Sequence, residues 1–128
     1  ICGNKALIGR GPQIPAGVYT ALAGFMEPGE SMEEAVGREL FEEVGLKTER
    51  VTYFASQPWP WPSSLMLGCY AYVASEDMQI NPKEIEDARW ISRADAASAL
   101  KGNYDVMLPP KFAIARHLIE HWVNTPTL

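Results

Sequence analysis

The chain has 128 residues, of which 47% are hydrophobic and 21% charged, and its formal net charge is −5. This length is enough for one hydrophobic core and too short for two ordinary domains. The acidic balance and the absence of a basic cluster argue against a broad nucleic-acid surface, although they allow the binding of one nucleotide. No apolar run approaches the roughly 20 residues that cross a bilayer, and we see neither a secretory leader nor an internal repeat.

The cysteine content argues against a metal site built on sulfur. Cys2 and Cys69 lack the spacing of metal ligands, and no pair of histidines accompanies them. We therefore expect buried or idle thiols rather than a disulfide or a zinc site.

Taken in chain order, β-branched and aromatic residues cluster in short runs, and Gly and Pro mark the joints. The pattern predicts strands over residues 5–9, 18–23, 50–57, 65–74 and 87–92. It predicts helices over 31–44, near 93–101 and near 110–123. This element order alone indicates an alpha-beta protein.

The helix predicted over 31–44 carries the clearest local signals. Ser31 is the expected N-cap, and Glu34 lies three residues on, so the two can form a capping box. Gly45 supplies the stop. An apolar residue recurs every fourth position and gives the helix one packing face, formed by Met32, Val36, Leu40 and Val44.

Three carboxylates lie on another face of this helix. Glu39, Glu42 and Glu43 stand at i, i+3 and i+4, so their Cβ atoms are about 5–6 Å apart. Their mutual repulsion is relieved if Mg²⁺ or Mn²⁺, which prefer oxygen ligands, lies between them. Gly24 suits a tight loop whose backbone approaches a ligand or metal. An acidic triplet on its own is more often a solvated helix face.

The wider pattern from Gly24 to Leu46 is more specific than the acidic triplet. Gly24 is followed by five residues and Glu30, and then by seven residues and the pair Arg38-Glu39. After an apolar residue and a spacer come Glu42-Glu43, a further spacer, Gly45 and an apolar residue. This resembles the Nudix box without a departure. The resemblance is to the Nudix hydrolases, which cleave nucleoside diphosphates linked to another group, and it implies a mixed sheet sandwiched between helices (α/β/α).

A second segment narrows the resemblance. Residues 56–66 read Ser-Gln-Pro-Trp-Pro-Trp-Pro-Ser-Ser-Leu-Met, which is similar to the array that marks the NADH pyrophosphatase branch. Most of that branch has phenylalanine in place of Trp61. Taken alone, Pro-Trp repeats also occur in rigid turns and in ligands of aromatic-lined grooves. Beside an intact Nudix box, the segment is expected to govern substrate choice, because the box handles the pyrophosphate that all candidate substrates share.

The resemblance implies a metal site that holds two or three Mg²⁺ or Mn²⁺ ions. Its ligands would be Glu39, Glu42, Glu43, Glu84 and a backbone carbonyl near Ala23 or Gly24. The first three glutamates are also the expected catalytic residues. Glu86 is the reserve candidate for the position of Glu84.

The resemblance also implies roles around the metal site. Phe25 is expected to stack on a base, with a core phenylalanine as the alternative. Arg38 is expected to pair with Glu30 and fix the loop against the helix. The substrate pocket would further include Ala115. It would also include Ser64 and Met66, which alternate along the strand after the Pro-Trp segment and are therefore expected to project to the same face.

The implied reaction is hydrolysis of the pyrophosphate of NADH or NAD⁺ to nicotinamide mononucleotide and AMP, with removal of NAD caps from RNA 5′ ends as a further use. One alternative is a Nudix hydrolase of ADP-ribose or another dinucleotide. The other is a non-catalytic nucleotide-binding module, which the intact carboxylate set disfavours. Since this branch commonly builds each pocket from two chains, a homodimer is expected.

Residues 1–128 are expected to form one Nudix catalytic domain. Full-length relatives usually carry an N-terminal domain and a four-cysteine zinc ribbon before this point, so we expect the chain to be a fragment. Zinc would belong only to that ribbon and not to this chain. The expected location is intracellular, in the cytoplasm or in peroxisomes, without a membrane partner.

Overall fold

The computed structural model describes residues 1–128 and contains four strands and three helices. In chain order they are β1 (Lys5–Arg10), α1 (Met32–Val44), β2 (Thr48–Trp59), β3 (Ser64–Val73), β4 (Asp87–Ser92), α2 (Arg93–Leu100) and α3 (Ile114–Asn124). None of these helices has the length and apolar character needed to cross a membrane.

The strands form two antiparallel ladders. In the first, β1 pairs with β4, and the register begins at Lys5 opposite Ser92. In the second, β2 pairs with β3, and Trp59 lies opposite Ser64 next to the turn that joins them. Two irregularities in β2 shift the register of the second ladder.

The prediction of a regular strand over residues 18–23 was wrong. Thr20 forms an isolated antiparallel bridge with Gly9, and Val18 forms an isolated parallel bridge with Met107. The backbone pairs at both points, but with a different neighbour at each, so no ladder develops.

Two helices cover opposite faces of the β2–β3 ladder, since successive side chains of a strand project to opposite faces. On one face, the Tyr70 hydroxyl donates to the Leu118 carbonyl of α3 at 2.7 Å. On the other face, Val73 packs in a buried cluster with Val44 at the end of α1. This layering confirms the expected α/β/α architecture. The sheet is mixed only through the isolated parallel bridge between Val18 and Met107, because both ladders are antiparallel.

Helix α1 forms as its local signals predict. Ser31 and Glu34 make both hydrogen bonds of the capping box, and Gly45 ends the helix with a left-handed φ of 69°. The last residue of the helix, Val44, has no exposed surface. Burial of such a side chain contributes about 1.5–3 kcal/mol and ties the end of α1 to the core.

The third helix begins later than predicted. Residues 110–113 precede it as a turn, in which the Ala113 amide donates to the Pro110 carbonyl at 3.0 Å. Ala113 is the N-cap and has an extended backbone, with φ −79° and ψ 134°. The helix therefore starts at Ile114.

Candidate active site

Arg38 fixes the loop before α1 against the helix. Its Nε donates to Glu30 Oε2 at 2.7 Å, and its Nη2 donates to Glu30 Oε1 at 2.9 Å. The same Nη2 also donates to the Phe25 carbonyl at 2.9 Å. Such a bidentate ion pair fixes the orientation of both side chains. The expected pairing of Arg38 with Glu30 is therefore confirmed.

The Arg38–Glu30 pair makes stability depend on pH. The hydrogen bonds from Arg38, followed by that from the Glu27 amide, lower the pKa of Glu30 from 4.5 to about 2. A carboxylate with a lowered folded-state pKa contributes stability above its unfolded pKa, and the contribution is lost as the pH falls toward the folded value. We therefore expect the difference in melting temperature between the parent and Glu30→Gln to be largest at neutral pH and to shrink below pH 4.5. Thermal melts of both proteins between pH 7 and pH 3 measure it, and a difference independent of pH would contradict the assignment.

The guanidinium of Arg38 also holds two of the predicted metal ligands. Its Nη1 donates to Glu39 Oε1 at 2.8 Å and to Glu42 Oε2 at 3.2 Å. These two carboxylates consequently share one cationic partner. The hydrogen bonds to Glu30 and Glu39 raise the pKa of Arg38 above its ordinary value, so it stays charged.

Gly24 lies directly against Glu39. A Cβ built on Gly24 would fall 2.2 Å from Glu39 Cδ and 2.3 Å from Glu39 Oε2. No side chain fits at this position while Glu39 keeps its place. The structure thus brings together the loop backbone and one carboxylate that were both predicted as metal ligands.

Glu43 is the buried member of the cluster. It is 7% exposed, and burial, followed by the charges of Glu39, Glu84 and Glu42, raises its pKa from 4.5 to about 7. The four predicted carboxylate ligands therefore lie close enough together for the charges of Glu39, Glu42 and Glu84 to act on Glu43.

The surroundings of Glu84 and Glu86 distinguish these two candidates. Glu86 forms an ion pair with Arg10, and its amide donates to the Arg10 carbonyl at 2.9 Å. Glu84 is exposed, and its negative charge contributes to the raised pKa of Glu43. The arrangement favours Glu84 as the fourth carboxylate.

Asn81 holds the turn that carries Glu84, a role that the sequence did not reveal. Its amide donates to the Glu43 carbonyl at 2.8 Å, and its carbonyl accepts from the Glu84 amide at 3.0 Å. Its side-chain Nδ2 donates to the Glu42 carbonyl at 3.3 Å. The only local signal was the Asn-Pro pair, which predicts a turn without naming its partner.

The donor set fits a divalent ion, although the carboxylates do not converge on one point. No three of them are grouped closely enough to bind a common ion. Arg38 draws Glu39 and Glu42 to its own Nη1, because opposite charges attract. A buried Glu43 surrounded by acidic groups, with a loop backbone beside Glu39, offers the oxygen ligands that Mg²⁺ and Mn²⁺ prefer.

Phe25 projects into solvent. It is 83% exposed, whereas its own carbonyl is held by Arg38. This exposure rules out the alternative of a core phenylalanine. A fixed backbone with an exposed ring is suited to stacking on a planar group.

Ser64 and Met66 share one face of β3, as their alternation predicts. Met66 lies opposite Gln57 in the ladder, and Gln57 hydrogen-bonds residues at the start of α3. The two residues therefore project to the α3 side, where Ala115 lies in the first turn of that helix. Within one chain, the structure does not place these three residues on the α1 side, where the carboxylates lie.

The two cysteines form no disulfide. Cys2 and Cys69 are both free and half-buried. Burial is the main reason that the pKa of Cys69 is raised, and the nearby charge of Glu33 adds to it. A raised pKa disfavours the thiolate, so Cys69 is a poor nucleophile.

Comparison with known proteins places this site in a family. The family model described as "NUDIX domain" matches residues 1–109. The crystal structure of a NUDIX hydrolase from Nitrosomonas europaea has the same fold, with a TM-score of 0.71 at 20% identity, over 94% of this chain and 64% of that one. A NUDIX-family hydrolase from Clostridium perfringens superposes with a TM-score of 0.68 at 21% identity, over 94% and 91% of the two chains.

Several curated proteins are similar to the chain over nearly its whole length. Human "NAD-capped RNA hydrolase NUDT12" is 50% identical over 124 residues, which is 95% of this chain and 27% of that protein. Human "NAD(P)H pyrophosphatase NUDT13, mitochondrial" is 44% identical over 138 residues, covering 98% of this chain and 39% of that protein. "NAD-capped RNA hydrolase NudC" of Stutzerimonas stutzeri is 47% identical over 118 residues, covering 92% and 40%. The chain thus spans only 27% to 40% of the length of these relatives.

Proposed function

The chain belongs to the Nudix family, and from this premise we propose that it hydrolyses the pyrophosphate of NADH or NAD⁺ to nicotinamide mononucleotide and AMP. The observation that carries the proposal is the buried Glu43, surrounded by Glu39, Glu42 and Glu84. The names of the relatives support this substrate class, and those named as NAD-capped RNA hydrolases support removal of NAD caps from RNA as a second use.

In the proposed mechanism, the four carboxylates and the backbone carbonyl of Gly24 would hold two or three Mg²⁺ or Mn²⁺ ions. Such ions, when bound, neutralise phosphate charge and lower the pKa of a water that attacks phosphorus. Arg38 keeps the loop and helix in register through Glu30. One of the carboxylates accepts the proton of the water, and Phe25 stacks on a base of the substrate.

Product analysis tests the proposed reaction. The protein is incubated with Mg²⁺ and NADH, NAD⁺ or ADP-ribose, and the products are separated by chromatography. We expect nicotinamide mononucleotide and AMP from the first two substrates. Faster hydrolysis of ADP-ribose would favour a different Nudix hydrolase, and binding without turnover would favour a nucleotide-binding module.

Replacing Phe25 tests its role in binding. Phe25→Ala is expected to raise the KM for NADH about tenfold, because stacking of a base on an aromatic ring contributes about 1–3 kcal/mol. The melting temperature should change little, since the ring is 83% exposed. Phe41→Ala, at an exposed position on α1 (62% exposed), is the matched control and should keep the parent KM. A large thermal loss with unchanged affinity would contradict the assignment.

A homodimer is part of the proposal. Within one chain, Ser64 and Met66 lie on the α3 side of the β2–β3 ladder, and the carboxylates of α1 lie on the other side. A second copy would bring these substrate residues to the carboxylates of the first. The β2–β3 hairpin also exposes apolar side chains, with Trp61 75% and Leu65 64% exposed, and a partner would cover such a patch.

We expect light scattering at micromolar concentration to show a dimer, and complementation to show a shared site. Glu43→Gln and Ala115→Trp are each expected to be inactive alone. In a mixed dimer, one of the two sites combines an intact Glu43 with an intact Ala115 of the other chain. Because random pairing makes about half of the dimers mixed, the mixture should recover roughly a quarter of the parent activity. A fully active monomer, or a mixture without recovery, would contradict this arrangement.

A further inference from the structure

The start of α3 is not capped by its own sequence neighbours. Ala113 occupies the N-cap position and makes no side-chain capping bond, and helix N-termini leave their first amide groups without intrahelical partners. The acceptor comes instead from β2, where Gln57 Oε1 accepts a hydrogen bond from the Ile114 amide at 2.9 Å. A residue from another element therefore fixes the point at which α3 begins.

The same carboxamide makes a second bond to this segment. Gln57 Nε2 donates to the Phe112 carbonyl at 2.7 Å. A carboxamide carries both an acceptor and a donor, whereas glutamate can only accept and leucine can do neither. Because Phe112 and Ile114 flank Ala113, the two bonds hold the helix start from both sides.

Two neighbours of Gln57 in the β2–β3 ladder fit the same segment. The ring of Trp59 stacks on that of Phe112, with centroids 6.2 Å apart and planes inclined by 20°. Gly68 leaves room for Ile114, because a Cβ on Gly68 would fall 2.9 Å from Ile114 Cδ1. Hydrogen bonds, ring stacking and close packing thus fix the hairpin against the start of α3.

The proposed substrate residues lie beside these contacts. Met66 is the cross-strand partner of Gln57, and such partners project to the same face with Cβ atoms about 4.5–5.5 Å apart. Ser64, two residues earlier, projects to that face as well. Ala115 follows Ile114 in the first turn of α3. A displacement of the helix start would consequently move Ala115 relative to Met66.

We propose that Gln57 is a positioning residue for substrate recognition, whose carboxamide sets the first turn of α3, and with it Ala115, against Ser64 and Met66. The inference rests on the proposed function, in which these three residues line the substrate pocket. Gln57 acts on binding rather than on the hydrolytic step, because the carboxylates lie on α1 at the other face of the ladder.

Two substitutions of Gln57 separate its two bonds. Gln57→Leu removes both bonds and is expected to raise the KM for NADH about tenfold with kcat within about twofold, as for a misplaced binding group. Gln57→Glu keeps the acceptor for the Ile114 amide and is expected to give an intermediate KM. Gln13→Leu, at an exposed glutamine in the loop after β1, is the matched control and should keep the parent KM.

Hydrogen exchange of the Ile114 amide tests the contact without reference to activity. We expect faster exchange in Gln57→Leu and near-parent protection in Gln57→Glu. Unchanged exchange in Gln57→Leu would overturn the proposed contact. Faster exchange with an unchanged KM would show that Gln57 has only a structural role and would overturn its proposed role in positioning Ala115. Failure of the parent protein to hydrolyse NADH would overturn the proposed function instead, and the KM comparison would then use the dinucleotide that it does hydrolyse.

Discussion

Replacing Glu43 by glutamine is expected to abolish turnover while the fold stays intact. The substitution removes one negative charge and leaves the side-chain volume almost unchanged. Glu43 is buried next to Glu39, Glu42 and Glu84, so its charge belongs to the proposed metal site. Loss of such a charge should lower kcat on the order of 10²-fold or more. Hydrolysis of NADH at saturating Mg²⁺ measures the effect, and Glu42→Gln is expected to behave alike.

The same substitution should not destabilise the metal-free protein. A buried carboxylate beside like charges is unfavourable, and a neutral amide of the same shape removes the repulsion. In EDTA, the melting temperature of Glu43→Gln is therefore expected to equal or exceed that of the parent. Added Mg²⁺ should raise the melting temperature of the parent more than that of the variant, because the ion binds only the folded state.

Glu49→Gln is the matched control for the charge change. Glu49 is an exposed residue at the start of β2, so its substitution should leave both the rate and the magnesium-dependent shift unchanged. Near-parent turnover of Glu43→Gln at saturating Mg²⁺ would contradict the metal-site assignment. Unfolding of the variant in EDTA would assign Glu43 a structural role.

The sequence predicted α1 closely because every signal for it is local. Ser31, Glu34 and Gly45 specify the two ends of the helix through contacts within a few residues. The segment 18–23 lacked such information, because its backbone partners, Gly9 and Met107, are distant in the chain. Local composition could predict an extended backbone there, but not whether neighbouring strands would form a ladder with it.

The same distinction applies to the candidate site. The spacing of Glu39, Glu42 and Glu43 within one helix makes their proximity predictable from geometry. Glu84 could be named only through the family resemblance, because a turn held by Asn81 brings it to the helix. Contacts across the chain of this kind leave no periodic pattern in the sequence.

The contact between Gln57 and the start of α3 was hidden for the same reason. The motif identified the segment from Ser56 to Met66 but not the amide of Ile114 as its partner. Alternation correctly placed Ser64 and Met66 on one face of a strand. It could not say which helix covers that face, because this depends on how α1 and α3 pack on the sheet.

Gly24→Ala is expected to lower kcat on the order of 10²-fold with little change in melting temperature. The added methyl group would lie 2.2 Å from Glu39 Cδ, so the carboxylate must move. The displaced carboxylate would also lose its 2.8 Å bond from Arg38. A misplacement of about 1 Å in a catalytic group can cost 10²-fold in rate. Gly24 is not among the glycines with positive φ, so alanine fits its backbone, and Glu39 can yield because its carboxylate ends a flexible side chain.

Measurements of kcat and of the Mg²⁺ concentration for half-maximal activity check this prediction, and both should change in Gly24→Ala. Gly11→Ala is the matched control, since Gly11 also lies in a loop and no atom lies within 4 Å of the Cβ it would gain. That variant should keep the parent rate and the parent Mg²⁺ dependence. Parent-like values for Gly24→Ala, measured on a protein with an unchanged melting temperature, would show that the position of Glu39 beside the loop backbone does not matter for turnover. The contact between Gly24 and Glu39 would then be only a consequence of packing.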